Sequence, residues 1–356
     1  MATATANTPI NMDSLPDWAT ADVPIKTLTH IQETGSAGQV QDYFGTGFTF
    51  DPLSGGITAG TLTSMTYTLN GVQQYTMTGL NHDAVTVANF QDIGDVLGLS
   101  AYLFNGNDVF NGSAGNDIIN GYTGNDVASG NGGNDLLRGD VGNDTLFGGA
   151  GDDTLSGGDA DDFAQGNEGN DSIVGGLGND ELRGGLGNDA IRGGAGADFL
   201  QGALGNDVQR GGLDNDTLMA GQGNDTIYGG AANDYLDGKA GSDVLTGGAG
   251  VDQFVFSNAP DGINADTIMD FEAGVDHIVL SLSVFGSLAT PGVLGSENFV
   301  SGTSPAAQDA NDFILYDSDN HVLSYDADGS GAGAAVAFAT LANGASLTAS
   351  DILLVA

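Results

Sequence analysis

Aspartate returns every nine residues without a slip, at Asp108, Asp117, Asp126, Asp135, Asp144, Asp153, Asp162, Asp171, Asp180, Asp189, Asp198, Asp207, Asp216, Asp225, Asp234, Asp243 and Asp252. Two residues after each stands an apolar position, from Phe110 and Ile119 through Leu137, Leu146 and Leu155 to Leu245 and Phe254. Only Ala128, Ala164 and Gln209 lack a large apolar side chain there. Two residues before each aspartate is a glycine, except at Ala160, Asp214 and Ala232, and the fifth residue before is also usually glycine. A glycine-rich linker has no reason to keep an apolar residue in phase with an acid. A period this short is one strand and one turn of a solenoid.

Each part of the repeat has a physical role. A three-residue strand with its middle side chain pointing inward needs one apolar residue. A six-residue turn that reverses tightly needs positive φ, which glycine adopts without strain. Two repeats make a flattened coil of eighteen residues, and coils stack at the strand spacing of about 4.8 Å. Aspartates eighteen apart then form two ladders, one running 108, 126, 144 to 252 and the other 117, 135, 153 to 243. Neighbouring carboxylates about 5 Å apart repel by roughly 3 kcal/mol per pair at an effective dielectric near 20. Over two ladders that exceeds the stability of a domain. A hard divalent cation between rungs reverses the sign. Ca²⁺ accepts six to eight oxygens, carboxylate and carbonyl mixed, and glycine turns expose carbonyls. Mg²⁺ holds its water and demands an octahedron. Zinc calls for His or Cys, and the repeats contain neither. The seventeen aspartates are therefore the candidate metal ligands. Eight gaps on one edge and seven on the other predict about fifteen Ca²⁺ ions.

The segments "GGAGDDTLS", "GGLGNDELR" and "GGAGADFLQ" resemble the RTX (repeat-in-toxin) calcium-binding nonapeptide, G-G-x-G-x-D-x-apolar-x. The resemblance covers about 103–256. It implies a parallel β-roll with calcium held between adjacent loops by the aspartates and turn carbonyls. Departures from the pattern mark weak points. Ala160 and Ala232 replace a glycine at a cost of about 1 kcal/mol each. Asp214 is better tolerated in the left-handed region. Gln209 puts an amide in the core, and the opening repeat lacks its glycine pair. Sites near 108, 162 and 214–216 are expected to be the weakest. Arg138, Arg183, Arg192 and Arg210 each sit one position past the inward residue, on the outward face. Charge balance explains them, and so does a docking face.

The predicted fold is all-β. A small strand-rich N-terminal domain over 1–102 precedes the roll at 103–256, and a β-rich cap over 257–356 follows it. Within 1–102, residues 1–25 read as an extended arm. "TLTSMTYTL", Asn70-Gly71 and "VQQYTMTG" predict a hairpin at 61–78 with open strand edges. The spacing over 87–104 suggests a short helix. Residues 252–282 resemble the segment that follows the roll in serralysin-type proteases, and their expected role is to cap its open end. "YDADGSGAG" looks like a calcium loop. As an EF-hand it fails, because the twelfth position from Asp326 is Ala337. The terminal "DILLVA" resembles a type I secretion signal and also suits a strand of the cap.

The formal charge is −41, from forty-seven acids and six Lys and Arg, which excludes phosphate-based nucleic-acid binding. There is no cysteine, so no disulfide or thiol chemistry. The N-terminus has neither a basic nor an apolar region of a Sec signal, and no stretch has the length of a transmembrane helix. Repeats and terminal signal together predict export by a type I ABC transporter to the extracellular space or cell surface. No enzyme motif is apparent: the four histidines are scattered, His30 is followed by "IQET", and no G-x-S-x-G elbow occurs. Two readings remain open. One is a non-enzymatic structural or adhesive protein that assembles with itself into a surface layer, filament or matrix. The other is a small exported enzyme or ligand-binding module carried by the roll.

Overall fold

The computed structural model describes the backbone of residues 30–34, 39–50, 57–69 and 72–83, and residues 106–356 apart from 113 and 289 in full. The chain divides into two compact units, Met1–Ala164 and Gln165–Ala356. Among the described residues every regular element is a strand, apart from two single 3-10 turns at Ser296–Asn298 and Ala349–Asp351. The expected all-β roll is what forms.

In the first unit, Ile57–Leu69 and Val72–Asp83 pair antiparallel, with Met65 opposite Met77 and Leu69 opposite Val72. This is the hairpin expected from the alternating pattern. Asn70-Gly71, the arm 1–25 and the suggested helix 87–104 lie outside the described residues. The hairpin's edges are not open, however. Ile57–Leu69 also pairs with Gln39–Phe50, which pairs in turn with His30–Thr34. Val72–Asp83 pairs with Val109–Asn111, the first strand of the repeats, placing Met77 opposite Phe110. The physical reason is reciprocal. A solenoid's first coil presents unpaired N–H and C=O groups, and so does a hairpin, and each closes the other.

The repeats that follow form two parallel sheets, with partners eighteen residues apart. Leu155 lies beside Leu137, and Leu146 beside Ala128. The second unit continues the same rule: Ile173 lies beside Ile191, and Leu182 beside Leu200. The inward residues form columns that exclude water, and Leu182, Leu200, Leu218 and Leu236 are fully buried. Strands are six residues long rather than the expected three, as in Leu136–Val141. Pairing skips one residue and then resumes through the turn: Ser156 pairs with Arg138 and Gly158 with Asp140, and Gly157 with Gly139 is omitted. The turn backbone thus shares the coil-to-coil ladder, which leaves fewer peptide groups unsatisfied.

Beyond the repeats, Asp266–Ile268 adds to Val244–Ala249, and His277–Ser281 adds to Gln253–Phe256, both in parallel. Val336–Leu341 and Ile352–Val355 extend these two sheets. A cluster of aromatic rings fills the cap, with Phe256 and Phe338 at 5.0 Å and Phe285 and Tyr325 at 4.9 Å. Most of "DILLVA" is a sheet strand, paired on both sides, with Ile352 and Leu354 buried.

Candidate metal centres

Two turn positions of each repeat take positive φ. One is two residues before the aspartate, where Gly142 and Gly151 are typical. Ala160, Ala232 and Asp214 hold the same left-handed backbone, at φ 83°, 77° and 69°, as their places in the pattern imply. The other is four residues before, where Tyr122, Asn131, Asp140, Asn167, Ala203 and Lys239 carry the strain without being glycine. The sequence reading did not single these out.

The glycine five residues before each aspartate is there for a different reason. Its φ is not positive, and it is where the carboxylate lies. A β-carbon on Gly130 would collide with Asp135 Oδ2 and fall 2.6 Å from the Gly148 carbonyl oxygen. On Gly202 it would collide with Asp207 Oδ2 and fall 2.5 Å from the Ala220 carbonyl oxygen. On Gly211 it would meet Asp216 Oδ2 and the Gly229 carbonyl in the same way. A carboxylate oxygen and a carbonyl of the next coil therefore converge beside each of these glycines. Ala220 stands at this position ahead of Asp225, and its methyl is fully buried.

Sixteen of the seventeen repeat aspartates are buried, and Asp117, in the first coil of its sheet, is half-buried. In the first unit the backbone N–H of Asp108 donates to Asp126 Oδ1 at 2.8 Å, Asp126 to Asp144 at 2.7 Å, and Asp144 to Asp162 at 2.7 Å. On the other edge Asp117 donates to Asp135 and Asp135 to Asp153. In the second unit the chains run Asp171, Asp189, Asp207, Asp225, Asp243 and Asp180, Asp198, Asp216, Asp234, Asp252. These are the two ladders.

From Asp126, Asp135 and Asp144 in the first unit to Asp189–Asp252 in the second, Oδ1 thus accepts the N–H of the preceding rung. In Asp126, Asp135, Asp144, Asp189, Asp198, Asp207, Asp216, Asp225, Asp234, Asp243 and Asp252, Oδ2 is buried without a hydrogen-bond partner. A buried, unpaired carboxylate oxygen is among the most costly groups a protein can hold. Burial accordingly pushes Asp126, Asp189, Asp198, Asp216, Asp225 and Asp243 up to about 7. Asp108, Asp135, Asp144, Asp234 and Asp252 rise to about 6 for the same reason. Neighbouring carboxylates add to the effect, as Asp198 and Asp234 do at Asp216. Hard oxygens, an anionic donor set and room kept free by glycine fit Ca²⁺.

The ladders do not stop with the repeats. Asp243 N–H donates to Asp266 Oδ1, and Asp252 N–H to Asp276 Oδ1, both at 3.0 Å. Sequence reasoning missed these rungs, although "DTI" and "DHI" repeat the aspartate-x-apolar signal, because they come 23 and 24 residues on rather than 18. A second, outer ladder was also missed. The asparagine before the aspartate accepts the N–H one coil on, as in Asn206 to Asn188 and Asn224 to Asn206, both at 2.7 Å. Gln209 is buried as expected, with Nε2 donating to the Met219 carbonyl. In "YDADGSGAG", Asp326 Oδ1 accepts Asp328 N–H and Asp328 Oδ2 accepts Gly333 N–H, so both carboxylates face their own loop.

Parallel coils of eighteen residues, glycine turns and stacked buried aspartates define a β-roll of the calcium-binding class. The model of the RTX calcium-binding nonapeptide repeat matches residues 102–137, 129–164, 156–190, 174–209, 183–218, 210–245 and 232–258. Together with the parallel coils, these matches identify residues 102–258 as an RTX calcium-binding β-roll. No curated protein matches it significantly in sequence. RTX repeat proteins are generally secreted, and the family is linked to type I secretion. Among the described residues no helix is long and apolar enough to cross a membrane.

Proposed function

We propose that this is a secreted, non-enzymatic protein whose roll folds on calcium outside the cell and which then assembles with itself as a surface layer, filament or matrix component. The observation that carries the reading is the set of buried Oδ2 atoms without partners at Asp126, Asp135, Asp144, Asp189, Asp198, Asp207, Asp216, Asp234, Asp243 and Asp252, each beside a glycine and, at several rungs, a carbonyl of the next coil. The seventeen repeat aspartates hold the ions, with turn carbonyls completing each shell. Asp266 and Asp276 add a closing rung to each edge, so the capacity is about fifteen ions plus two. Binding free energy is then folding free energy. Low calcium in the cytosol keeps the chain threadable through a type I ABC transporter, with "DILLVA" as its address, and external calcium folds it. Assembly is supported by a repetitive, acidic scaffold whose charge repulsion calcium lowers.

The test is far-UV circular dichroism and electron microscopy of the full chain, in chelator and in millimolar calcium. Expected are a β spectrum and ordered assemblies in calcium alone. Identical spectra in both conditions would overturn calcium-dependent folding. A folded monomer in calcium would overturn assembly and favour the exported-module reading.

A further inference from the structure

The six basic residues of this chain are scarce against forty-seven acids, yet two of them are stacked together. Arg192 and Arg210 are register partners on adjacent parallel strands, and Arg210 is the register partner of Tyr228. The Arg210 guanidinium lies 5.0 Å from the Tyr228 ring centroid. Like charges side by side on paired strands are destabilising. Simple charge balance would place an acid beside each. Elsewhere on the chain such balance is seen, Arg183 pairing with Glu181 and Lys239 with Asp237. The rest of the face is neutral: Val174, Ala190, Val208, Thr226 and Thr246 hold the outward positions around the two arginines. Val174 and Tyr228 are exposed. The result is a sheet face with two cations on neighbouring strands, whose backbones lie about 4.8 Å apart, and an aromatic ring beside one of them.

We propose that this face docks the acidic edge of a second copy of the chain, through Asp140, Asp159 and Asp161. The inference rests on the self-assembly reading above. The complement is set by the same coil spacing. Asp140 pairs in register with Gly158, next to Asp159, and Asp161 follows two residues on, so these carboxylates sit on adjacent coils of one edge. Asp159 and Asp161 are exposed. Guanidinium and carboxylate meet as planar, bidentate partners, which lysine would not do as well. The two surfaces are different patches of one molecule, so the contact is heterologous. Repeated from copy to copy it propagates into a filament or sheet unless the rotation closes a ring.

The test uses the full chain in calcium, followed by light scattering and sedimentation velocity, with circular dichroism confirming the calcium-dependent fold. The variants are R192E/R210E, the milder R192Q/R210Q, and D159R/D161R. Each charge-reversed chain is expected to fold and to need about ten-fold or more concentration to assemble, and the glutamine variant less. An equimolar mixture of the two reversed chains is expected to recover assembly. Wild-type-like assembly of R192E/R210E, or no recovery in the mixture, would overturn this contact while leaving self-assembly intact. A wild-type chain that stays monomeric would overturn both. Binding of that monomer to an anionic polysaccharide such as alginate, lost in R192E/R210E, would show that the face serves a different partner.

Discussion

The repeat tract and the cap of the second unit both bury carboxylates, and they treat them in opposite ways. In the roll, Oδ2 of Asp189, Asp198, Asp207, Asp216, Asp225, Asp234, Asp243 and Asp252 is sealed from water with no hydrogen-bond partner. In the cap, Asp312 Oδ2 accepts the N–H groups of Gln308 and Asp309, and Asp351 accepts those of Thr348 and Gly274. The change happens at the junction, where Asp276 gives Oδ1 to the roll's ladder and Oδ2 to the Glu272 N–H. The hydrophobic content differs too. The roll offers one inward residue per strand, and the cap packs Phe256, Phe285, Tyr325 and Phe338 edge to face. The roll leaves these carboxylate oxygens without a protein donor, whereas the cap gives Asp312 and Asp351 backbone donors of their own.

That contrast predicts its largest effect in chelator. Hydrogen exchange followed by mass spectrometry is expected to show fast exchange throughout the repeats, with protection persisting at 312–325 and 336–355. Uniform exchange over both regions would dissolve the distinction. The terminal strand belongs to this prediction: deleting "DILLVA" removes buried Ile352 and Leu354 and should cost several kcal/mol of cap stability, at about 2–5 per core side chain. A secretion defect in that deletion therefore reports folding as well as address, and substituting exposed Ala356 or Val355 separates the two.

A smaller break comes from the glycine beside the carboxylate. Gly193→Ala puts a methyl into Asp198 and should destabilise the calcium-bound roll by about 1–3 kcal/mol. Ala220→Gly should do the reverse by less, lowering the calcium concentration at the folding midpoint. Calcium titrations of the far-UV signal measure both, and equal midpoints for the two variants would refute the steric role.

Acid should move the two regions in opposite directions. Roll aspartates have folded-state values of about 6–7, above an ordinary 3.8. Their contribution to the metal-free fold is fully present below about 4 and is lost as pH rises through 6–7. Metal-free protein should therefore gain β structure between pH 8 and pH 5. In the flanking loops of the cap, hydrogen bonds from Asn264 and from Asn320 hold Asp261 and Asp317 below the ordinary value. That contribution is present above 3.8 and fades as pH falls below it. Calcium binding, which needs ionised carboxylates, should weaken over the same fall from pH 8 to 5. A metal-free chain that loses structure on acidification from pH 8 would contradict the assignment.

The smallest effect separates the middle of a ladder from its end. Asp198→Ala should remove about two calcium ions and Asp108→Ala about one, read by calorimetric stoichiometry. Equal losses would mean that ions do not lie between rungs.

The roll was legible because its contacts repeat along the chain. Core neighbours within each sheet are eighteen residues apart, so a nine-residue pattern of aspartate, apolar residue and glycine states the coil, the ladders and the column of Leu182, Leu200 and Leu218 all at once. Alternation around Asn70-Gly71 likewise exposed the hairpin, since its partners are adjacent in sequence. Contacts without a period left no such trace. The pairing of Met77 with Phe110, of Ile268 with Leu341 and of Ile278 with Ile352 spans separations that no repeat encodes. The rungs at Asp266 and Asp276 fell out of phase for the same reason. Composition also hid the division of labour among glycines. Gly194 is required by its backbone angle and Gly193 by the carboxylate lying against it. A string of letters shows two identical residues, and the difference exists only once the next aspartate has folded back over the first.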